Sequence, residues 1–265
     1  MPLRIVYVTI QSVDSSTFRA PAEEVCRENG WDLDLFCAND SEIDEDPLTY
    51  HELVLRSKEA DLVMVRVMAD PTRMRRFEQW ERVLKECKGY IAVYSGNLDV
   101  SLVYRDLFKG DDQEYMRLRE YMRGRGAEND RAIVLWLHRM LTGEGELPGI
   151  VQHPSDGVYH PDLPRDVTLE QYLEHLDPSK PTVGLMITSN LWIYDNLRHV
   201  DEFIRENGLQ YVINSDISDD EILSEFVSSR LPESLVDDLR IFIRHSSKPL
   251  AVRSSSKLED SHYQP

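Results

Sequence analysis

Cysteine is scarce in this sequence. Cys26, Cys37 and Cys87 are odd in number and lack paired spacing, which excludes a disulfide framework or a four-cysteine zinc site and fits buried thiols of a reducing compartment. Positive charge is also short, 30 Lys+Arg against 48 Asp+Glu, for a net charge of -18. A field of that sign repels phosphate backbones and anionic lipid, so no nucleic acid and no membrane is expected as a partner. No apolar run reaches transmembrane length. The start, Met1-Pro-Leu-Arg-Ile-Val-Tyr-Val, reads as a strand rather than a charged segment followed by an apolar core, so the expected location is cytoplasmic. The stretch Gln11–Arg19 holds no glycine, which excludes a Gly-rich dinucleotide fingerprint after the first strand. A P-loop, a nucleophile elbow, a Cys-x-x-Cys pair, internal repeats and low-complexity tracts are missing too.

What is present is an alternation of two periodicities. With 265 residues and 41% hydrophobic content the chain can bury a real core. Strands are predicted at Leu3–Ile10, Asp32–Phe36, Asp61–Val67 and Tyr90–Tyr94, the first and third nearly continuous apolar runs, as strands buried on both faces should be. Helices are predicted between them at Pro21–Asn29, His51–Ala60 and Phe77–Lys88, followed by two more at about Gln113–Arg123 and Ala127–Leu141. The expected fold class is α/β: an open, mainly parallel sheet of the Rossmann-like or flavodoxin-like kind with flanking helices. Residues 142–181 are rich in Pro and Gly and read as a connection carrying one short helix capped by Thr168 and Gln171. Residues 182–207 read as the start of a second α/β unit, after the α/β domain 1–141. From 208 to 265 the expectation is a small, mostly helical appendage, with helices starting at Ser218 and Pro232 and a short strand at Leu250–Val252.

In a sheet of this class, ligands gather at the carboxyl ends of the strands. The residues there are Gln11, Ser12, Asp14 and Ser15 after the first strand, and Ser95, Gly96 and Asn97 after the fourth; ordinary loop chemistry accounts for them more simply than a ligand does. His153, Asp156, His160 and Asp162 bracket a turn-rich segment, but Pro154 and Pro161 favour a rigid connection, and they read as structural or surface residues rather than metal ligands. His138, beside Trp136 and Leu137, reads as a packed or partly exposed histidine. Arg117, Arg119, Arg123, Arg125 and Arg131 form a basic patch, most simply an intramolecular ion-pair surface.

The segment Gly157-Val-Tyr-His-Pro-Asp-Leu-Pro-Arg165, the acidic spacer after it and the start Pro181-Thr-Val-Gly-Leu-Met186 resemble the large subunit of cobaltochelatase, CobN type, related to the H subunit of magnesium chelatase. Leu163 stands where alanine is commoner, and Ile187-Thr-Ser-Asn-Leu-Trp192 is a divergent form of the following loop. The resemblance covers about residues 1–205. It implies a role in inserting cobalt or magnesium into a tetrapyrrole at the expense of ATP, in cobalamin or related biosynthesis, with hydrolysis carried out by separate AAA-type ATPase partner subunits. It also implies a truncated head region, inactive alone and without catalytic residues of its own, because the family's macrocycle cavity lies in a long body that follows.

The end of the chain carries a second resemblance. Pro249-Leu-Ala-Val-Arg-Ser-Ser-Ser256 and Leu258-Glu-Asp-Ser261 look like the N-terminal ATP-binding domain of phosphoenolpyruvate synthase and pyruvate phosphate dikinase, with Lys257 where an apolar residue is frequent. Carried over by position, Arg253, Ser254 and Ser255 would face ATP phosphates, where a guanidinium fork and hydroxyl donors suit a polyphosphate. The two signatures meet near Val200–Gln210, where Asp201-Glu-Phe-Ile-Arg-Glu206 fits a helix of either family. Three readings therefore stand: a chelatase large-subunit head, a fragment of a phosphoenolpyruvate synthase-like kinase, and a non-enzymatic ligand or protein-interaction module.

Overall fold

The computed structural model describes residues 2–10, 14–68, 70–153, 157–164, 167–177, 182–187, 189–206 and 210–214. They divide into two units. One takes the described residues within 2–153 together with 190–196, and the other those within 157–189 and 197–214.

In the first unit the strands are β1 (Leu3–Ile10), β2 (Leu33–Asn39), β3 (Leu62–Val67) and β4 (Tyr90–Ser95). They form one sheet in the order β2-β1-β3-β4, and every pairing is parallel. The helices are α1 (Arg19–Asn29), α2 (Asp40–Glu45), α3 (Pro47–Glu59), α4 (Phe77–Leu84), α5 (Leu98–Val103), α6 (Asp112–Gly124) and α7 (Gly126–Thr142).

The period of two along each strand sorts its side chains between two cores. Leu3, Ile5 and Tyr7 of β1 and Leu62 and Met64 of β3 join one core with residues of α1, α6 and α7. Val6, Val8 and Ile10 of β1 and Val63, Val65 and Val67 of β3 join the other, with Ile43, Leu53, Phe77, Trp80 and Leu84. Both faces of the sheet are thus covered, the arrangement expected of a parallel sheet whose central strands are apolar throughout. Each fully buried aliphatic or aromatic side chain contributes about 1.5–3 kcal/mol to this packing. Trp80 is fully buried, and its indole N–H donates to Ser57 Oγ at 2.9 Å, so its polar atom is satisfied.

Local signals explain the boundaries. Asn39 and Glu42 close a capping box on α2, and the Asp46 carboxylate accepts from the backbone of Leu48 and Thr49 ahead of Pro47 at the start of α3. Gly30 and Gly143 end α1 and α7 in the left-handed conformation. The two short helices α2 and α5 were not expected from the sequence, because one turn of helix leaves no periodicity to read.

In the second unit β5 (Val158–Tyr159) and β6 (Thr182–Met186) flank β7 (Gln210–Asn214), antiparallel and parallel respectively. It also holds α8 (Leu169–His175) and α10 (Arg198–Glu206). Thr168 and Gln171 form the expected capping box on α8. β7 is a strand where the sequence reading opens a mostly helical appendage; Tyr211-Val-Ile213 is an aromatic and β-branched run that suits one. It pairs with β6 in parallel, from Thr182 opposite Gln210 to Met186 opposite Asn214. The predicted helices from Ser218 and Pro232 and the strand at Leu250–Val252 lie outside the described residues. Among the described residues no helix is long and apolar enough to cross a membrane.

Candidate functional site at the carboxyl ends of the strands

Of the expected loop residues, the side chains of Ser95 and Asn97 accept from the backbone two residues on. The Asn97 side chain accepts from Asp99 N at 2.9 Å at the start of α5, and Ser95 N donates to Ser101 Oγ at 2.9 Å. Ser15 is buried, while Gln11 and Ser12 lie outside the described residues.

Polar chemistry gathers instead one layer deeper, at the carboxyl end of the sheet face that packs on α6 and α7. Tyr7 of β1, Arg66 of β3 and Tyr94 of β4 share that face by strand period. Arg66 donates from Nη2 to the Met122 carbonyl at 2.9 Å and forms a hydrogen bond with Tyr7, whose side chain is almost wholly buried. Its guanidinium lies 5.6 Å from the centre of the Tyr94 ring, and that of Arg119 lies 5.4 Å from the same ring.

Asp130, in the first turns of α7, faces this group and is 4% exposed. Tyr194, just after α9 (Ser189–Ile193), donates its hydroxyl to Asp130, accepts the backbone N–H of Gly126 and bonds with Thr17. The second carboxylate oxygen, Oδ2, is buried without a hydrogen-bond partner among the described residues, as is Nε2 of His153.

The electrostatics follow from burial. Loss of water pushes the Asp130 carboxyl up to about 7; Arg66 and the Tyr194 hydroxyl pull the other way, and Glu128 adds slightly to the rise. Burial likewise raises Tyr194 to about 12, helped by Asp130 and opposed by Arg66. It also holds Tyr7 well above the usual phenol range. For Arg66 burial works against the charge, but Tyr7, Tyr194 and Asp130 more than offset it, so the guanidinium stays protonated. The cluster can therefore hold one exchangeable proton, on Asp130, near neutral pH beside a permanent cation.

The backbone is shaped to allow it. Arg125 and Gly126 both have positive φ, 55° and 81°, at the join of α6 and α7. At this φ a side chain is strained, and a Cβ on Gly126 would also fall 2.4 Å from His153 Nε2 and 3.1 Å from Ile193 Cγ2, so the position favours glycine. The buried Asn129 side chain donates to the carbonyls of Arg125 at 2.6 Å and Val151 at 2.8 Å and accepts from Val151 N at 3.0 Å, fixing the strap that leads to His153.

The other sequence candidates fall as follows. Arg117, Arg123 and Arg131 are ion-paired within the chain, with Glu114, Glu120 and Glu24/Glu28, as the surface reading expects, whereas Arg119 pairs with Glu120 but is buried rather than on the surface. Arg125 instead bonds Asn190. His138 stacks on Trp31, with ring centres 3.8 Å apart. His160 lies 4.9 Å from His175, ring centre to ring centre, and its Nδ1 accepts from Asp162 N at 3.1 Å. Among the described residues no group of three His, Cys, Asp or Glu side chains is disposed to hold a metal. Asp156, Arg253, Ser254 and Ser255 lie outside the described residues.

Sequence reasoning missed Arg66 and Asp130, though each leaves a signal. Arg66 interrupts the otherwise apolar run Leu62–Val67, and Asp130 sits at helical spacing from the buried Ile133, Val134 and Leu137.

No curated protein matches the sequence. Among solved structures, the catalytic subunit of cobaltochelatase from Mycobacterium tuberculosis aligns over 82% of this chain and 16% of its own, at 17% identity and a TM-score of 0.49. The chain thus spans about a sixth of that subunit's length. Residues 119–247 match the family model described as CobN/Magnesium Chelatase, a span that runs through Val200–Gln210 and contains Arg119, Met122, Asp130 and Tyr194 of the buried cluster.

Proposed function

We propose that this chain is part of the large subunit of a CobN/magnesium-chelatase-type enzyme and contributes to holding a tetrapyrrole, with cobalt or magnesium as the ion to be inserted. The observation that carries this reading is the family match over residues 119–247. The motifs Gly157–Arg165 and Pro181–Met186, on which the resemblance rests in sequence, fall inside it. Because the match runs on to residue 247, it favours a single origin through Val200–Gln210 over a change of family there. In this reading the ATP-driven step belongs to AAA-type partner subunits, and the chain serves as a piece of the larger subunit rather than as an independent catalyst.

The buried cluster supports the reading in a limited way. Arg66, Asp130 and the two tyrosines tie β1 and β3 to α7 and to residues 190–196, and Asp130 is closed to solvent. Its role is to position the backbone around Gly124–Asp130 and to hold a proton, not to touch a macrocycle. The test is gel filtration of the chain with a metal-free porphyrin. Co-elution of protein and Soret absorbance is expected, and free porphyrin eluting entirely apart from the protein would remove the tetrapyrrole part of the reading.

A further inference from the structure

At the opposite, amino end of the sheet, three of the chain's seven lysines line one concavity of about 290 Å³. Lys58 comes from the last turn of α3, Lys88 from the turn before β4, and Lys109 from the loop before α6. Arg4 and Asp61 complete its charged lining with Glu59. Asp61 is consumed by Arg4: it accepts from the Arg4 backbone at 2.9 Å, from Nε at 3.3 Å and from Nη2 at 2.9 Å. Glu59 is mostly exposed and also reaches Arg4, at 3.4 Å. Among the described residues, no carboxylate pairs with Lys58, Lys88 or Lys109. The three ammonium groups thus form a local positive field on a molecule of net charge -18.

The backbone is built for this convergence. A Cβ on Gly89 would fall 2.3 Å from the Ala60 carbonyl and 2.5 Å from that of Asp61, so glycine alone lets the turn carrying Lys88 lie against the end of α3. Lys109 donates to the Cys87 carbonyl, and Lys109 and Lys58 both act on the buried Cys87 thiol, against the larger effect of burial. Neutralising helix carboxyl ends is the simpler use of lysine and suits Lys58 in the last turn of α3 and Lys109 on the Cys87 carbonyl past α4, but it leaves Lys88 and the convergence of all three on one concavity without a role.

We propose that this concavity binds a compact polyphosphate group, free or on a small molecule, held by Lys58, Lys88 and Lys109. The donor set selects the class. The one guanidinium fork present is committed to Asp61, so planar two-pronged recognition of a carboxylate is not on offer, whereas ammonium groups bind phosphoryl oxygens as point charges. The volume suits a di- or triphosphate rather than an entire nucleotide buried within it.

The test is calorimetric titration of the full chain with inorganic tripolyphosphate at constant ionic strength. Saturable binding is expected, weakened at least tenfold in Lys58→Ala/Lys88→Ala and retained in Lys58→Arg/Lys88→Arg. Should the double alanine variant not fold, Lys88→Gln, a change at an exposed loop side chain, is expected to weaken binding at least threefold. Absence of saturable binding, or binding that these variants leave unchanged, would overturn the proposal. So would binding of a polyglutamate peptide, or of phosphoinositide-bearing vesicles, without binding of tripolyphosphate.

Discussion

Asp130 offers the sharpest physical test of the buried cluster. Its carboxyl is pushed from the ordinary 3.8 to about 7, chiefly by loss of water. Between those values the folded protein keeps a proton that the unfolded chain has released. The contribution of Asp130 to stability is therefore greatest in acid and falls as pH rises through this window, then stays flat above about 7. At about 1.4 kcal/mol per pH unit the whole span costs roughly 4 kcal/mol, a large share of the ~5–15 kcal/mol that holds a domain together.

The variant Asp130→Asn removes the titration. Its amide oxygen can still accept from Tyr194, while its N–H2 group lands where Oδ2 has no partner and costs about 1–3 kcal/mol. That cost is independent of pH and cancels on comparing two pH values. The stability of the variant relative to the parent should rise by roughly 3 kcal/mol between pH 5 and pH 8, and be greatest on the alkaline side. Urea unfolding followed by tryptophan fluorescence at the two pH values reads this difference directly. If the variant tracks the parent at a constant offset, Asp130 is not titrating in the folded state near neutrality and the reasoning from its burial fails.

Other perturbations test the remaining parts of the account. Gly126→Ala combines a positive φ with a clash against His153 and Ile193, and is expected to lower stability by about 2 kcal/mol or more, with partial rescue by His153→Ala; an unchanged melting temperature would refute the clash. Ser57→Ala leaves the Trp80 N–H buried without an acceptor and should cost about 1–3 kcal/mol in urea unfolding, so a neutral result would show that the bond at 2.9 Å contributes nothing net. Asn129→Ala frees the Val151 strap and is expected to speed amide exchange at Val151, with unaltered protection counting against the role given to that side chain. The nucleotide reading of Arg253, Ser254 and Ser255 predicts that ATP raises the melting temperature and that Arg253→Ala abolishes the rise; no shift with ATP removes it.

The fold was largely legible in the sequence because its main signals are local or periodic. The apolar runs of β1 and β3 demand cover on both faces, and the alternation with helices then leaves a parallel sheet as the simplest solution. What stayed hidden was of two kinds. Single-turn helices such as α2 and α5 are too short to carry a period, and β7 was obscured by the resemblance placed on the residues around it. The buried cluster was hidden for a different reason. Arg66, Asp130 and Tyr194 are 64 residues apart at each step, and nothing in linear spacing brings a β-strand arginine, a helix aspartate and a distant tyrosine to one point. Each could be seen as a polar residue in an apolar position, but their meeting is a property of the packed sheet and helices. The lysine concavity was equally invisible, since its three lysines are spread from α3 to the loop before α6 and read in sequence as ordinary surface charge.

The chelatase reading is tested most directly by equilibrium titration of the full chain with a metal-free porphyrin, followed by both the Soret band and the emission of the four tryptophans. A saturable Soret shift with matching quenching at one macrocycle per chain is the predicted result. A Soret band that keeps its free-porphyrin position, with quenching that rises linearly and never saturates, would contradict it.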